Sequence, residues 1–127
     1  MLLLDTHVCI DLLRGRVRGR RVPAFLDCQL PAVVVAELWT GALKSAARER
    51  QTAALQSFLD FFTVVSFDSA AARHYGEIRA ELEGAATPIG PMDMMIAAQA
   101  RSSGMTLLTG NLAEFRRVSG LKCQAWG

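Results

Sequence analysis

Several residue types are scarce in this chain of 127 residues, and each scarcity narrows what the chain can be. The three cysteines, Cys9, Cys28 and Cys123, are odd in number and widely spaced, so neither a disulfide framework nor a metal knuckle is expected. No apolar run approaches the roughly 18 residues of a membrane span, and the acid at position 5 is untypical of a secretory signal. We therefore expect a single domain over 1–127 in the cytoplasm, with no membrane contact.

Common catalytic motifs are also missing. The only histidines are His7 and His74, and no nucleophile elbow accompanies them, which argues against Ser–His–Asp catalysis. Neither GxGxxG nor GxxxxGK[ST] occurs, so neither of these phosphate-binding loops is expected. Cys9 has no basic neighbour in sequence that would activate its thiol as a nucleophile.

Positive charge is unevenly distributed along the chain. Fourteen basic and twelve acidic residues give a net charge of +2, too small to indicate nucleic-acid binding by itself. Only two of the basic residues are lysines, and five arginines fall within eight residues: Arg14, Arg16, Arg18, Arg20 and Arg21. A solvated loop is the simpler interpretation of such a run, but guanidinium groups also bind phosphate with two parallel hydrogen bonds.

Predicted strands alternate with predicted helices along the whole chain. The strands cover Met1–Leu4, Leu30–Val35, Thr63–Phe67, Met105–Leu108 and a last segment near Leu121–Gln124. The helices cover Thr6–Arg14, Val22–Cys28, Ala36–Ala46, Arg48–Phe62, a segment from Asp68 to Glu83, Pro91–Ser103 and a turn at Leu112–Arg116. This order predicts an α/β fold of three layers, in which helices cover both faces of a mostly parallel sheet of four or five short strands.

Acidic and amide side chains occur where such a sheet binds ligands, beyond the carboxyl ends of its strands. Asp5 directly follows the first predicted strand, Glu37 lies two residues past the second, and Asn111 lies three residues past the fourth. Asp93 opens the helix that precedes the fourth strand. Simpler roles exist for three of them: a helix cap for Asp5, a helix-dipole partner for Glu37 and a turn residue for Asn111.

Asp93 is the hardest of these residues to explain structurally. Its helical face continues through the apolar Ile96, Ala97 and Ala100, and no lysine or arginine occurs between residues 81 and 100. An unpaired buried carboxylate costs several kcal/mol, so a cationic partner has to come from elsewhere. Three carboxylates and one amide without local cations suit Mg²⁺, or Mn²⁺, which prefer oxygen ligands.

Four stretches of the sequence are similar to a known family. They are LLDTHVCIDLLRG (3–15), VVAELWTGA (34–42), IGPMDMMIAAQARSSGMTLLTGN (89–111) and NLAEFRRVSGL (111–121). Together they resemble the PIN-domain ribonucleases, and specifically the VapC toxins of bacterial toxin–antitoxin pairs. The resemblance leaves mainly 16–33 and 43–88 unmatched, and it implies a single PIN domain with a PIN-like fold.

The resemblance also implies roles for individual residues. Asp5, Glu37 and Asp93 match the acidic metal ligands of the family, and Asn111 matches a fourth catalytic position that is often aspartate. Thr6 and Thr109 match hydroxyl positions beside the site. His7 replaces a common asparagine, which leaves its role open, and Glu114 is expected to be peripheral.

The activity that follows from this resemblance is metal-dependent cleavage of RNA. A bound Mg²⁺ activates water for attack on a phosphodiester, leaving a 5′-phosphate. Because Asn111 is neutral, we expect one firmly held ion and a second, weaker one. The stretch TGNLAEFRRVSGL is similar to that of VapC proteins that cut the anticodon loop of initiator tRNA and so inhibit translation. The arginines expected to contact RNA are Arg14, Arg16, Arg18, Arg20, Arg21, Arg116 and Arg117.

Partners also follow from the resemblance: a VapB-type antitoxin, operator DNA bound only through that antitoxin, and a second toxin copy in a homodimer. Two alternatives remain open. One is a catalytically inert PIN-like binding module. The other is a phosphoacceptor receiver domain, in which Asp68 after the third strand would accept the phosphoryl group.

Overall fold

The computed structural model describes all 127 residues, Met1–Gly127. Five strands alternate with six helices. The strands are β1 (Leu2–Leu4), β2 (Cys28–Pro31), β3 (Thr63–Val65), β4 (Thr106–Thr109) and β5 (Cys123–Ala125). The helices are α1 (Thr6–Leu13), α2 (Ala32–Leu43), α3 (Arg48–Leu59), α4 (Ser69–Gly84), α5 (Pro91–Ser103) and α6 (Leu112–Phe115). No helix combines the length and apolar character needed to cross a membrane.

All five strands are parallel, in the order β3-β2-β1-β4-β5. Strand β1 lies at the centre of the sheet, with β4 next to it. Leu3 and Leu4 of β1 and Leu107 of β4 are fully buried, and Leu108 of β4 is 2% exposed. Successive side chains of a strand point to opposite faces, so both faces of the sheet are covered. The predicted three-layer α/β fold is therefore confirmed, and the carboxyl ends of all strands lie at one edge.

The helix boundaries given by proline, glycine and aspartate were predicted well. Pro91 occupies the first turn of α5, and Gly104 ends that helix with a left-handed φ of +70°. Asp68 caps α4 by accepting a hydrogen bond from the backbone N–H of Ala71 at 2.9 Å. These residues act through local backbone chemistry, which is why sequence alone locates them.

The predicted boundary between the second strand and its helix was wrong. Leu30–Val35 was expected to be extended, but β2 ends at Pro31 and the valine run 33–35 lies in the first two turns of α2. The β preference of valine is weak compared with tertiary packing, and Val33 and Val34 are buried in the core. The buried side chain of Gln99 in α5 also accepts a hydrogen bond from the backbone N–H of Val33, which favours a helix start there.

Smaller deviations occur at other boundaries. The helix expected over Val22–Cys28 is only a 3₁₀ turn at Phe25–Asp27, and Cys28 already belongs to β2. Helix α3 ends at Leu59, before the expected Phe62, whose ring packs 4.8 Å from that of Phe25. Contact between these two rings, and not a continued helix, therefore fixes the position of Phe62.

Candidate active site

Asp5 lies at the junction of β1 and α1, buried to 5% exposure. It is the N-cap of α1, and its Oδ1 accepts the backbone N–H of Val8 at 3.0 Å. Its own N–H donates to the carbonyl of Leu108 at 3.1 Å, which ties the end of β1 to the end of β4. Asp5 is thus a helix cap and also a carboxylate held at the sheet edge.

Thr109, the last residue of β4, contacts Asp5 directly. Its fully buried hydroxyl donates to Asp5 Oδ2 and accepts the backbone N–H of Asn111 at 2.9 Å. Burial raises the pKa of Asp5, while the bonds from Thr109 and Val8 act in the opposite direction. The hydroxyl therefore helps to keep a buried carboxyl ionised.

Glu37 reaches the site from the second turn of α2. The sequence placed it in a first helical turn, but α2 begins at Ala32, so Glu37 is its sixth residue. Its Oε1 accepts a hydrogen bond from the hydroxyl of Thr6 at 2.7 Å. Since Thr6 follows Asp5 in the chain, this bond joins α2 to the junction of β1 and α1.

Asp93 lies half-buried in the first turn of α5, where the charges of the other acids affect its pKa. Burial is the main cause that raises the pKa of Asp93, and the negative charges of Glu114, Glu37 and Asp5 raise it further. The nearby His7 lowers it. Four acids on four different elements therefore share one neighbourhood.

Asn111 and Glu114 form a pair at the start of α6. Asn111 Nδ2 donates to Glu114 Oε2 at 2.8 Å, and Glu114 is the strongest charged influence on the pKa of Asp93. Glu114, expected to be peripheral and not a ligand, acts on the site through its bond to Asn111 and its negative charge. Its spacing of three residues from Asn111 on a helical turn was the available signal.

None of these four acids forms an ion pair with lysine, arginine or histidine; the four ion pairs of the structure lie elsewhere. The donor set of carboxylates, hydroxyls and one amide fits a hard divalent cation. However, no three His, Cys, Asp or Glu side chains are arranged to hold a metal ion. The cage of Asp5, Glu37 and Asp93 expected from sequence therefore stays a prediction. Hydroxyls hold two of the three acids, and carboxylates without a cation between them repel one another.

The predicted RNA-contacting arginines divide into two groups. Arg20 pairs with Asp11 at 3.0 Å, and Arg117 donates to the carbonyl of Pro88 at 3.2 Å, so both serve contacts within the fold. The remaining five make no ion pair and are exposed: Arg14, Arg16, Arg18, Arg21 and Arg116.

A groove of about 690 Å³ lies between α1, α2 and α3. Its charged lining consists of Glu37, Arg14, Arg16 and Arg50, above apolar side chains such as Leu38 and Leu55. Arg50 was not singled out from the sequence, where nothing separates it from the neighbouring Arg48. Glu37 therefore belongs both to the acidic site and to a groove with a basic rim.

The PIN domain family matches residues 2–121 of the chain. The chain belongs to the PIN-domain family. A relative from Shigella flexneri named tRNA(fMet)-specific endonuclease VapC is 40% identical over 98% of this chain and 96% of its own length. Ribonuclease VapC2 of Haemophilus influenzae (strain ATCC 51907 / DSM 11121 / KW20 / Rd) is 36% identical with the same coverage. Within the PIN domains, the chain is a member of the VapC ribonucleases, and the receiver-domain alternative is wrong.

Solved PIN-domain structures agree with this assignment. The DNA-bound VapBC complex from Salmonella typhimurium matches with a TM-score of 0.87 and 35% identity, over 99% of this chain and 98% of that one. VapBC2 from Rickettsia felis, bound to a promoter fragment, matches with a TM-score of 0.88 and 28% identity over the same shares. PIN-domain nucleases generally use divalent metal ions.

Proposed function

We propose that this chain is the toxin of a toxin–antitoxin pair and acts as a Mg²⁺-dependent endoribonuclease that cuts tRNA. The observation that carries the proposal is the group of four acids, Asp5, Glu37, Asp93 and Glu114, that lie at one sheet edge and form no ion pair with lysine, arginine or histidine. Uncompensated negative charge of this kind is unfavourable in the isolated chain and becomes favourable when a cation binds. Membership of the VapC ribonucleases supports the same activity.

Asp5, Asp93 and Glu37 are the residues we propose as metal ligands, with Asn111 completing the catalytic set. When bound, Mg²⁺, or Mn²⁺, activates water at neutral pH and neutralises charge that develops on the scissile phosphate and the leaving oxygen. Thr109 holds Asp5 in position, and Thr6 does the same for Glu37. Asn111 orients Glu114 through its amide, so that Glu114 adds negative charge beside Asp93.

The substrate and partners are proposed from the relatives. The Shigella relative is named for tRNA(fMet), and we propose initiator tRNA, cut in its single-stranded anticodon loop, as the substrate. The exposed arginines supply phosphate contacts around the acids. A VapB-type antitoxin, operator DNA reached through it, and a toxin homodimer are proposed from the VapBC complexes that this chain resembles.

Incubation of the purified chain with bulk tRNA, in Mg²⁺ and in chelator, tests the activity. The proposal expects cleavage in Mg²⁺, none in chelator, and products with a 5′-phosphate. Asp93→Asn keeps the shape of the side chain and should lower the rate by about a hundredfold or more, because it removes a charge from the reacting site.

A matched control is Asp60→Asn, which neutralises an exposed aspartate at the end of α3 that is not among the charges acting on Asp93. It should cleave like wild type. Cleavage that persists in chelator, or that is equal in both variants, would contradict the proposal. A chain that binds tRNA but never cleaves it would be the inert PIN-like module.

A further inference from the structure

The arginine loop, residues 14–21, follows α1 and has a defined backbone. Gly15 and Gly19 adopt left-handed φ values of +67° and +77°, which favour glycine at these turns. The N–H of Arg16 donates to the carbonyl of Asp11 at 2.8 Å, and the N–H of Arg20 donates to Val17 at 3.0 Å. The loop is therefore folded back on itself next to α1.

Three side chains close this loop against the C-terminus. Arg20 Nη1 and the indole N–H of Trp126 both donate to Asp11 Oδ2, each at 3.0 Å. The guanidinium carbon of Arg20 lies 5.0 Å from the centre of the Trp126 ring, a cation–π contact. Each member of this triad contacts the other two. The triad thus links α1, the loop and the last residues of the chain.

Trp126 is itself held firmly. Its side chain is only 7% exposed, and its backbone N–H donates to the carbonyl of Thr109 at 2.8 Å. The triad therefore rests on the end of β4, beside Asp5. Arg20 is the one arginine of the loop that takes part in the triad. The other four arginines of the loop are exposed and form no ion pair.

The side of the loop near α1 faces the groove between α1, α2 and α3. Arg14 and Arg16 line that groove together with Arg50 of α3, and Glu37 of the acidic site lines it too. Three guanidinium groups from two separate segments thus flank one path that leads past a proposed catalytic acid. Guanidinium groups suit the phosphates of a nucleic-acid strand, each of which accepts two parallel hydrogen bonds.

We propose that Asp11, Arg20 and Trp126 form a structural triad that holds the arginine loop in place, so that Arg14, Arg16 and Arg50 bind the phosphates of an RNA strand passing Glu37. The inference rests on the proposed ribonuclease function and adds to it the binding path and its support. Asp11, Arg20 and Trp126 are positioning residues, and Arg14, Arg16 and Arg50 are the contact residues.

The sharpest test uses the sign of a charge change. Asp11→Asn removes a negative charge, and simple electrostatics predicts tighter binding to RNA. The triad predicts the opposite, about threefold weaker binding. Arg20 loses its charged acceptor, and the arginine loop is then no longer held against α1. Binding of bulk tRNA to the intact chain is measured in chelator, which prevents metal-dependent cleavage, at several salt concentrations. Asp27→Asn, at an exposed aspartate outside the loop, is the matched control and should not weaken binding.

Two further sets of variants separate positioning from contact. Arg16→Gln and Arg50→Gln should each weaken binding and reduce the salt dependence by about one phosphate contact, whereas Arg73→Gln on α4 serves as the charge-matched control. Trp126→Leu leaves the charge unchanged and should weaken binding about three- to tenfold, with partial rescue in Trp126→Phe, which keeps an aromatic ring under Arg20.

Native-state trypsin cleavage gives a readout that needs no RNA. Release of the loop in Asp11→Asn or Trp126→Leu should speed cleavage after the loop arginines, while urea unfolding establishes that the variants are folded. Unchanged trypsin cleavage together with unchanged tRNA binding in these variants would overturn the proposal. So would unchanged binding in Arg16→Gln and Arg50→Gln, which would assign the groove to a protein partner. A wild-type chain that binds tRNA without cleaving it would instead overturn only the proposed function.

Discussion

The hydroxyl of Thr109 donates a hydrogen bond to the carboxylate of Asp5, although the two residues are 104 positions apart in the sequence. The bond joins the carboxyl ends of two adjacent parallel strands, β1 and β4. It also offsets part of the effect of burial on the pKa of Asp5. One buried hydroxyl thus contributes both to the stability of the sheet edge and to the charge of the proposed site.

Replacement of this hydroxyl should therefore affect stability and activity together. Thr109→Val keeps the shape but leaves Asp5 Oδ2 and the N–H of Asn111 without their partner, at a cost of about 1–3 kcal/mol. The pKa of Asp5 should rise further, so the acid limb of the cleavage rate should move to higher pH. Urea unfolding and a pH–rate profile measure the two effects. Thr109→Ser retains the hydroxyl and should stay close to wild type in both, and a Val variant with an unshifted acid limb would contradict this role.

Gln99 is a second buried polar contact with a measurable consequence. Its side chain is fully buried in α5, where Oε1 accepts the N–H of Val33 at 3.3 Å and Nε2 donates to the carbonyl of Val65 at 2.7 Å. Gln99→Leu should destabilise the fold by about 1–3 kcal/mol, because one buried and one partly buried backbone group lose their partners. Gln99→Met, of similar length and also apolar, should cost a similar amount. A urea midpoint unchanged by either would show that water replaces both bonds.

The charge of Asp93 should destabilise the metal-free protein. Burial and the neighbouring acids raise the pKa of Asp93, so the folded state binds its proton more readily than the unfolded state does. In chelator at neutral pH, Asp93→Asn should therefore raise the stability, by up to about 1 kcal/mol because the side chain is partly exposed.

The pH dependence of that gain has a definite sign. As pH falls through the raised pKa, wild-type Asp93 is protonated, and the difference in melting temperature between Asp93→Asn and wild type should shrink. Asp60→Asn is the control for loss of one negative charge. Added Mg²⁺ should stabilise wild type and not Asp93→Asn. A difference that grows towards low pH would mean that the folded state favours the ionised form of Asp93.

Asn111→Asp tests why this position carries an amide. The amide donates to Glu114 at 2.8 Å, and an aspartate there would replace that bond with repulsion between two carboxylates. The metal-free variant should melt at a lower temperature, and its stability should depend more steeply on Mg²⁺ than that of wild type. The reciprocal change Glu114→Gln in the variant should restore the metal-free stability. Equal melting curves in chelator for Asn111→Asp and wild type would contradict the repulsion.

The sequence by itself determined the alternation of strands and helices, and with it the sheet edge at which Asp5 and Asn111 lie. Pro91, Gly104 and Asp68 set helix ends, because caps and proline act through the backbone of their own turn. The spacing of the acids and the motifs around them were also sufficient to identify the family, which the PIN-domain match and the identity to VapC ribonucleases confirm.

Tertiary structure alone decided the features that join distant segments. Valine favours strands locally, yet Val33–Val35 are helical, because the start of α2 packs into the core and Val33 donates its backbone N–H to the buried Gln99. The earlier helix start places Glu37 in the second turn of α2. Arg20 resembles its neighbours in sequence, but only the folded chain brings Asp11 and Trp126 to it. Glu114 joins the acids for the same reason. Such contacts depend on which segments meet, and local periodicity carries no information on that.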